Sequence, residues 1–141
     1  MGRNYYSPAG FKKYVAVSGP SIISDCSWLD NNIFNAYQLS AMYLYRILFG
    51  HYWLYGFNFG ITKDAYQKSG GFNAHLNAME DVELGKRVAK VGRIKYLPQL
   101  VVVFSGRRFQ KGFIRGILSY VKLYWECFFL KDSKIDLSDV R

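Results

Sequence analysis

Residues 56–98 read GFNFGITKDAYQKSGGFNAHLNAMEDVELGKRVAKVGRIKYLP, and the order of turns, acids and apolar positions in this stretch decides the fold. Its clearest element is a helix over residues 80–91. Leu84, Val88 and Val91 recur at i, i+4, i+7, and Val82 and Ala89 widen that stripe, so one face is apolar and core-facing. Glu83 and Arg87 stand four apart in the favourable order for an ion pair. Gly92 is a natural residue to close the helix in the left-handed conformation. Upstream, Thr62 is placed to cap a short helix over 63–69, which Gly70-Gly71 stops. Gly56-Phe57-Asn58-Phe59-Gly60 reads as a strand whose backbone something approaches closely, because glycines flank its aromatic positions.

Working outward, Ile33, Phe34, Tyr37, Met42, Tyr45 and Phe49 fall near helical spacing. They predict a helix over 32–49, capped by Asp30 or Asn31 and ended by Gly50. Tyr14-Val15-Ala16-Val17-Ser18 is a β-branched run closed by Gly19-Pro20, the pattern of a buried strand ending in a turn. On the other side, Leu100-Val101-Val102-Val103-Phe104 is a continuous apolar run, expected to be a strand buried on both faces. Residues 111–130 form a second long helical pattern with few charges, and 131–141 read as a solvated tail. The expected organisation is therefore an α/β unit over 1–110 and an amphipathic helix with its tail over 111–141.

The chain has 141 residues, half of them hydrophobic and 18% aromatic. That is enough for a real core and argues against disorder. Its formal charge of +9, from 19 basic and 10 acidic residues, favours an anionic partner: a phosphorylated ligand or an anionic membrane surface. The basic residues come in pairs such as Lys86-Arg87 and Arg107-Arg108, not along one arm, so nucleic acid ranks below both. Cys26 and Cys127 lack metal or redox spacing and suit two reduced thiols in the cytoplasm. No run approaches the ~18 apolar residues of a membrane-spanning helix, and no signal-peptide core is present.

Glu80-Asp81 is the place to look for chemistry. Acids at a helix start are stabilised by the macrodipole and free amides by about 0.3–1 kcal/mol, and that alone can account for such a pair. Here, however, the pair follows the glycine-aromatic turn Gly70-Gly71-Phe72-Asn73, sits on an anchored helix, and accompanies the close-approach element at Gly56 and Asn58.

In that order the stretch resembles the second half of the catalytic domain of glycosyltransferase family 2, which has the GT-A fold. The family pattern is a Gly-x-Asn strand, a helix ending in Gly-Gly-Phe, Glu-Asp followed by Leu and Arg on a helix, then Gly and a Pro-led strand. Gly56, Asn58, Gly70, Gly71, Phe72, Glu80, Asp81, Leu84, Arg87, Gly92 and Pro98 fall on it. The resemblance extends more loosely to Val15-Ala16-Val17-Ser18-Gly19. It implies a partial GT-A, Rossmann-like sheet flanked by helices.

It also implies an inverting transferase acting on a nucleotide-sugar donor and a sugar or lipid-linked acceptor. Asp81 would be the general base and Glu80 its neighbour orienting the acceptor. Gly56 and Asn58 would line the floor of the sugar site, with Gly71 and Phe72 beside it. Arg107 and Arg108 would approach the diphosphate, whose charge grows as it leaves, although a solvated pair at a strand end explains them equally. The family uses a divalent ion, Mg or Mn, held by an Asp-x-Asp on an N-terminal nucleotide-binding half. Neither that motif nor βαβ units precede the Val15 strand. The chain is thus expected to be an acceptor-side half, inactive alone, needing a donor-side partner half and located in the cytoplasm at the inner membrane face. Residues 111–130, mixing aromatic, apolar and basic side chains, suit peripheral membrane contact. The alternative is a non-catalytic basic aromatic module binding membrane or nucleic acid.

Overall fold

The computed structural model describes residues 14–76, 78–109 and 112–125, apart from the side chains of Arg108, Leu123 and Tyr124. Over these residues the chain is mixed α/β, with four α-helices and a small mixed sheet. Strand β1, Tyr14–Ser18, is the middle of three. β3, Phe59–Ile61, pairs with it antiparallel, with Ser18 opposite Phe59. β4, Arg93–Tyr96, pairs with it parallel, with Ser18 opposite Tyr96. β4 was not separated from its surroundings by the sequence reading. Its Arg-Ile-Lys-Tyr alternation buries Ile94 and Tyr96 and exposes Arg93 and Lys95, the two-residue period of a half-buried strand.

Past Gly19-Pro20 the same two chain segments pair again: β2, Ser21–Ile23, runs parallel to β5, Val102–Phe104. At the break between the two ladders the backbones touch. A Cβ on Gly19 would lie 2.1 Å from the Leu100 carbonyl oxygen, so no larger residue fits. The apolar run 100–104 was expected to be buried on both faces. Instead Leu100, Val101 and Val103 are exposed, Val103 by 63%. One face of β5 packs through Phe104 on the Ile23–Phe34–Phe109 cluster, and the other, which carries Val103, is left uncovered.

Helix α1, Trp28–Phe49, starts one turn before its expected beginning. Neither Asp30 nor Asn31 caps it. Ser27 Oγ accepts the Asp30 N–H at 3.1 Å while its hydroxyl donates to Asp30 Oδ2 at 2.7 Å, so the acid belongs to the first turn, where it also faces the positive end of the dipole. Gly50 ends the helix as expected, at φ 77°, its N–H donating to Arg46 O. The inward side carries Phe34, Gln38, Met42 and Tyr45. Gln38 is buried but satisfied: its Oε1 accepts from the Ser21 N–H and hydroxyl, and its Nε2 donates to Ser21 O, tying α1 to β2.

Helix α2, Lys63–Lys68, is capped by Thr62, and α3 spans Glu80–Val91, both as the sequence indicated. Gly92 does not close α3 in the left-handed conformation, since its φ is −179°. Glycine is needed there for space: a Cβ would sit 2.5 Å from Val15 Cγ1 on the neighbouring strand. Leu84 and Val88, fully buried, meet Leu54, Ala16 and Ile94 between α3 and the sheet, each of the leucine, valine and isoleucine side chains contributing about 1.5–3 kcal/mol. A second cluster joins Met42, Tyr45, Trp53, Tyr55, Val82 and Tyr96. Helix α4, Phe113–Trp125, lies within the predicted 111–130; residues 126–130 fall outside the described residues. It packs through Phe113, Ile117 and Tyr120 on Phe34, Phe109 and Ile23, so it shares a core cluster with α1 and β2.

Candidate functional site

Asp81 is the second residue of α3, and the chain enters that helix through a strained step. Met79 holds φ 58° and ψ 24°, the left-handed region, at a cost of order 1–3 kcal/mol for a residue with a side chain. Met79 packs on the Tyr45–Trp53–Tyr96 cluster, which secures it there. No side chain caps α3 from outside. The Asp81 carboxylate does part of that work itself, Oδ1 accepting the Val82 N–H at 2.8 Å.

The other oxygen reaches across the fold. Asp81 Oδ2 accepts the Gly56 N–H at 2.8 Å, from the turn that leads into β3. A Cβ on Gly56 would stand 3.0 Å from that oxygen, so the absence of a side chain lets the backbone come close. Two amides thus fix the carboxylate, and each oxygen keeps a further lone-pair direction. Burial raises the Asp81 pKa above its usual 3.8, the Gly56 and Val82 amides pull it down, and the Glu80 charge pushes it up; the net shift is upward. Tyr45 lies close enough for the Asp81 charge to add to the larger effect of burial in raising the phenol's pKa. Glu80 is exposed on the same turn.

Arg87 connects this helix to the glycine turn. Its Nε and Nη2 donate to Glu83 Oε1 at 2.7 Å and Oε2 at 2.5 Å, a two-pronged pair, and its Nη1 donates to Ser69 O at the end of α2. The expected Glu83–Arg87 ion pair is therefore present and carries a third bond, which holds the turn against α3. Gly70 and Gly71 have φ of 82° and 67°, where a Cβ is unfavourable. Gly71 N–H donates to Tyr66 O, and Phe72 N–H donates to Tyr66 Oη. Phe72 is 46% exposed and stands edge-on to Phe59 and Tyr66.

Asn58 is turned into the fold. Its Nδ2 donates to Pro20 O at 2.8 Å and Leu100 O at 2.6 Å, using both N–H bonds. Its own carbonyl accepts the Ser18 hydroxyl and the Gly19 N–H. It fills the break between the two ladders, and of the pair assigned to the sugar floor only Gly56 touches Asp81.

Arg107 is exposed on a 3-10 turn, Arg107–Phe109, that follows β5 on the two-stranded sheet, whereas Asp81 and Gly56 bind each other beside the three-stranded one. The side chain of Arg108 lies outside the described residues. Tyr45, Met79 and Tyr66 were not singled out from the sequence. Tyr45 reads from the sequence only as a core position, and nothing in the spacing of 79 or 66 marks a left-handed residue or a hydroxyl under a turn.

A separate aromatic cleft is lined by Phe34, Tyr37, Gln38, Ala41, Trp53, Tyr55, Phe57 and Tyr120. Asp81 is not in its wall. Tyr55 stacks on Phe57, which stacks on Phe104, at 5.2 and 5.6 Å.

No family model matches the chain, and neither a curated protein nor a solved structure does.

Proposed function

We propose that this chain is the acceptor-side half of an inverting glycosyltransferase of the family 2 type, with Asp81 as its general base. The observation that carries the reading is the Asp81–Gly56 contact: a half-buried carboxylate, fixed by two amides, with its pKa moved upward. A base in that state is rigid and closer to neutral affinity for a proton than an ordinary aspartate, as general-base catalysis requires. The pairing of β1 with parallel β4 and antiparallel β3 is read as the acceptor-side part of a GT-A sheet. Arg87, joining the Gly70-Gly71 turn to the acid-bearing helix, gives one physical reason for that motif's spacing.

In the reaction, an acceptor hydroxyl hydrogen-bonded to Asp81 loses its proton to the carboxylate as its oxygen bonds to the anomeric carbon. The bond from that carbon to the diphosphate breaks on the opposite side, and the nucleoside diphosphate leaves with the electron pair. Glu80 and Phe72 are assigned to orient the acceptor. Among the described residues no three His, Cys, Asp or Glu side chains gather as a metal site. They do not fit the family's divalent ion, which is assigned to the donor-side half. The chain alone is expected to transfer no sugar. Fused behind the nucleotide-binding half of a complete family member, and given the donor that half binds, it is expected to transfer. Turnover by the isolated chain, or none by a folded fusion, would count against the reading.

Peripheral membrane contact is favoured by one observation. α4 packs Phe113, Ile117 and Tyr120, partly buried, on the core but leaves Ile114, Leu118, Val121 and Trp125 exposed at helical spacing, with Arg115 and Lys122 on the same helix. Among the described residues no helix is long and apolar enough to cross a membrane. Co-sedimentation with anionic vesicles is expected to fall at least tenfold on Leu118→Glu and to weaken with salt. Equal binding by wild type and variant would remove this helix from the interface.

A further inference from the structure

The outward face of α1 carries a run of exposed apolar side chains. Leu29, Ile33, Tyr43, Leu44, Ile47 and Leu48 are 61, 47, 47, 57, 79 and 67% exposed, although Phe34, Gln38, Met42 and Tyr45 already supply the face that joins the core. A helix apolar on both sides needs a partner on each.

The sequence along the outer face says which kind. Leu29, Ile33, Ala36, Ser40, Tyr43 and Ile47 follow one another at steps of four and three, the alternation of a heptad seam, and no charged residue interrupts it. The seam is also symmetric about position 38. Positions 29 and 47, 33 and 43, and 36 and 40 are equidistant from that point. Turned end for end against a copy of itself, the face sets Leu29 opposite Ile47, Ile33 opposite Tyr43 and Ala36 opposite Ser40. Each pair matches a first-type seam position with a second-type one, as an antiparallel helix pair requires. The two small residues fall at the crossing point, where backbones must come closest. A two-fold dimer needs such a self-complementary patch. Antiparallel packing also sets each helix's positive end beside the other's negative end.

We infer that this face of α1 is the interface of an antiparallel homodimer. The helix has 22 residues and is thus about 33 Å long and about 10–12 Å across. Two such faces bury no more than the lower end of specific interfaces, about 1,200 Å² in total, so a weak, reversible dimer is expected, with a dissociation constant in the micromolar range or above. Nothing in the inference depends on the transferase reading.

Sedimentation of the full chain across the micromolar range tests it. Wild type is expected to shift from monomer to dimer with concentration. Leu29→Lys and Ile47→Glu, each at an exposed position, are each expected to weaken that dimer at least tenfold, with unchanged circular dichroism. Mixed in equal amounts, the two variants should recover a heterodimer, because the antiparallel arrangement sets Lys against Glu at one end and leaves Leu29 against Ile47 at the other. A parallel pairing gives no such rescue. A wild type that stays monomeric would overturn the inference, as would variants that dimerise like wild type, or a mixture that does not recover. A monomer that floats with vesicles, with flotation lost in Leu29→Lys, would overturn it in favour of lipid as the occupant.

Discussion

Asp81→Asn is expected to lower the turnover of the completed enzyme by about 10²–10⁴-fold, the range a positioned general base supplies, with little change in the KM for acceptor. Asparagine keeps an oxygen for the Gly56 N–H and nearly the same shape, so acceptor contacts persist while the proton has nowhere to go. In the unsubstituted enzyme the rate should fall on acidification as Asp81 takes up its proton, and because burial raises its pKa that limb should lie above the ordinary aspartate value. The stability of the chain moves the other way. A folded pKa above the unfolded one means that the Asp81 contribution is fully present below the unfolded value, about 3.9, and is lost as pH rises through the folded value. At neutral pH the ionised group therefore weighs against folding. Removing that charge offsets the loss of the Val82 N–H bond, which the single oxygen of asparagine cannot keep beside the Gly56 bond, so the thermal midpoint of Asp81→Asn is expected to change little. If Asp81 served only to cap α3, the variant would instead lose about 0.3–1 kcal/mol of stability and keep its rate. Kinetics and melting on one variant thus separate the two roles. A normal rate with a lowered midpoint would leave the acid as a cap.

The elements that periodicity could reach were legible in the sequence, and those that depended on a neighbouring strand were not. The stripe Leu84-Val88-Val91 fixed α3 to the residue because an amphipathic helix writes its own pattern, and Thr62 announced α2 by its capping chemistry. Gly92 was recognised as special for the wrong reason. The sequence shows a glycine after a helix, but the cause is Val15, seventy-seven positions away and visible only once β1 and β4 are paired. The five apolar residues 100–104 suggest a doubly buried strand because hydrophobicity alone does not reveal that only the Phe104 face finds a packing partner. At the candidate site, the acids and the glycine beside them could be picked out. The contact between Gly56 and Asp81 could not, nor could the left-handed Met79, since both arise from how the 53–58 segment and α3 meet over a shared core.

Asn58 shows the same limit most sharply, and the variant Asn58→Asp is expected to destabilise the chain by about 3 kcal/mol or more. The substitution is isosteric, so packing is unchanged and only donors are lost. Two N–H groups that now satisfy Pro20 O and Leu100 O become a carboxylate oxygen aimed at two carbonyls. A partly buried acceptor left without its donor costs about 1–3 kcal/mol, there are two of them, and a negative charge faces both. Gly19 leaves little room for relief by movement, because the space beside it at the Leu100 carbonyl would not hold even a Cβ. The loss should appear as a lower urea midpoint with an unchanged slope. It should also carry a pH dependence that adds to the one Asp81 gives wild type, in the same direction and larger. The new carboxyl, facing carbonyl oxygens, has a folded pKa raised above its unfolded one, so its protonated form, which regains one O–H donor, favours the fold. The variant should therefore recover stability as pH falls through that raised value. An Asn58 that bound sugar would behave differently: Asn58→Asp would melt like wild type at every pH and lose only acceptor affinity. Because the two ladders meet at this side chain, the expected outcome is that both sheets, and with them the Gly56 turn that positions Asp81, loosen together.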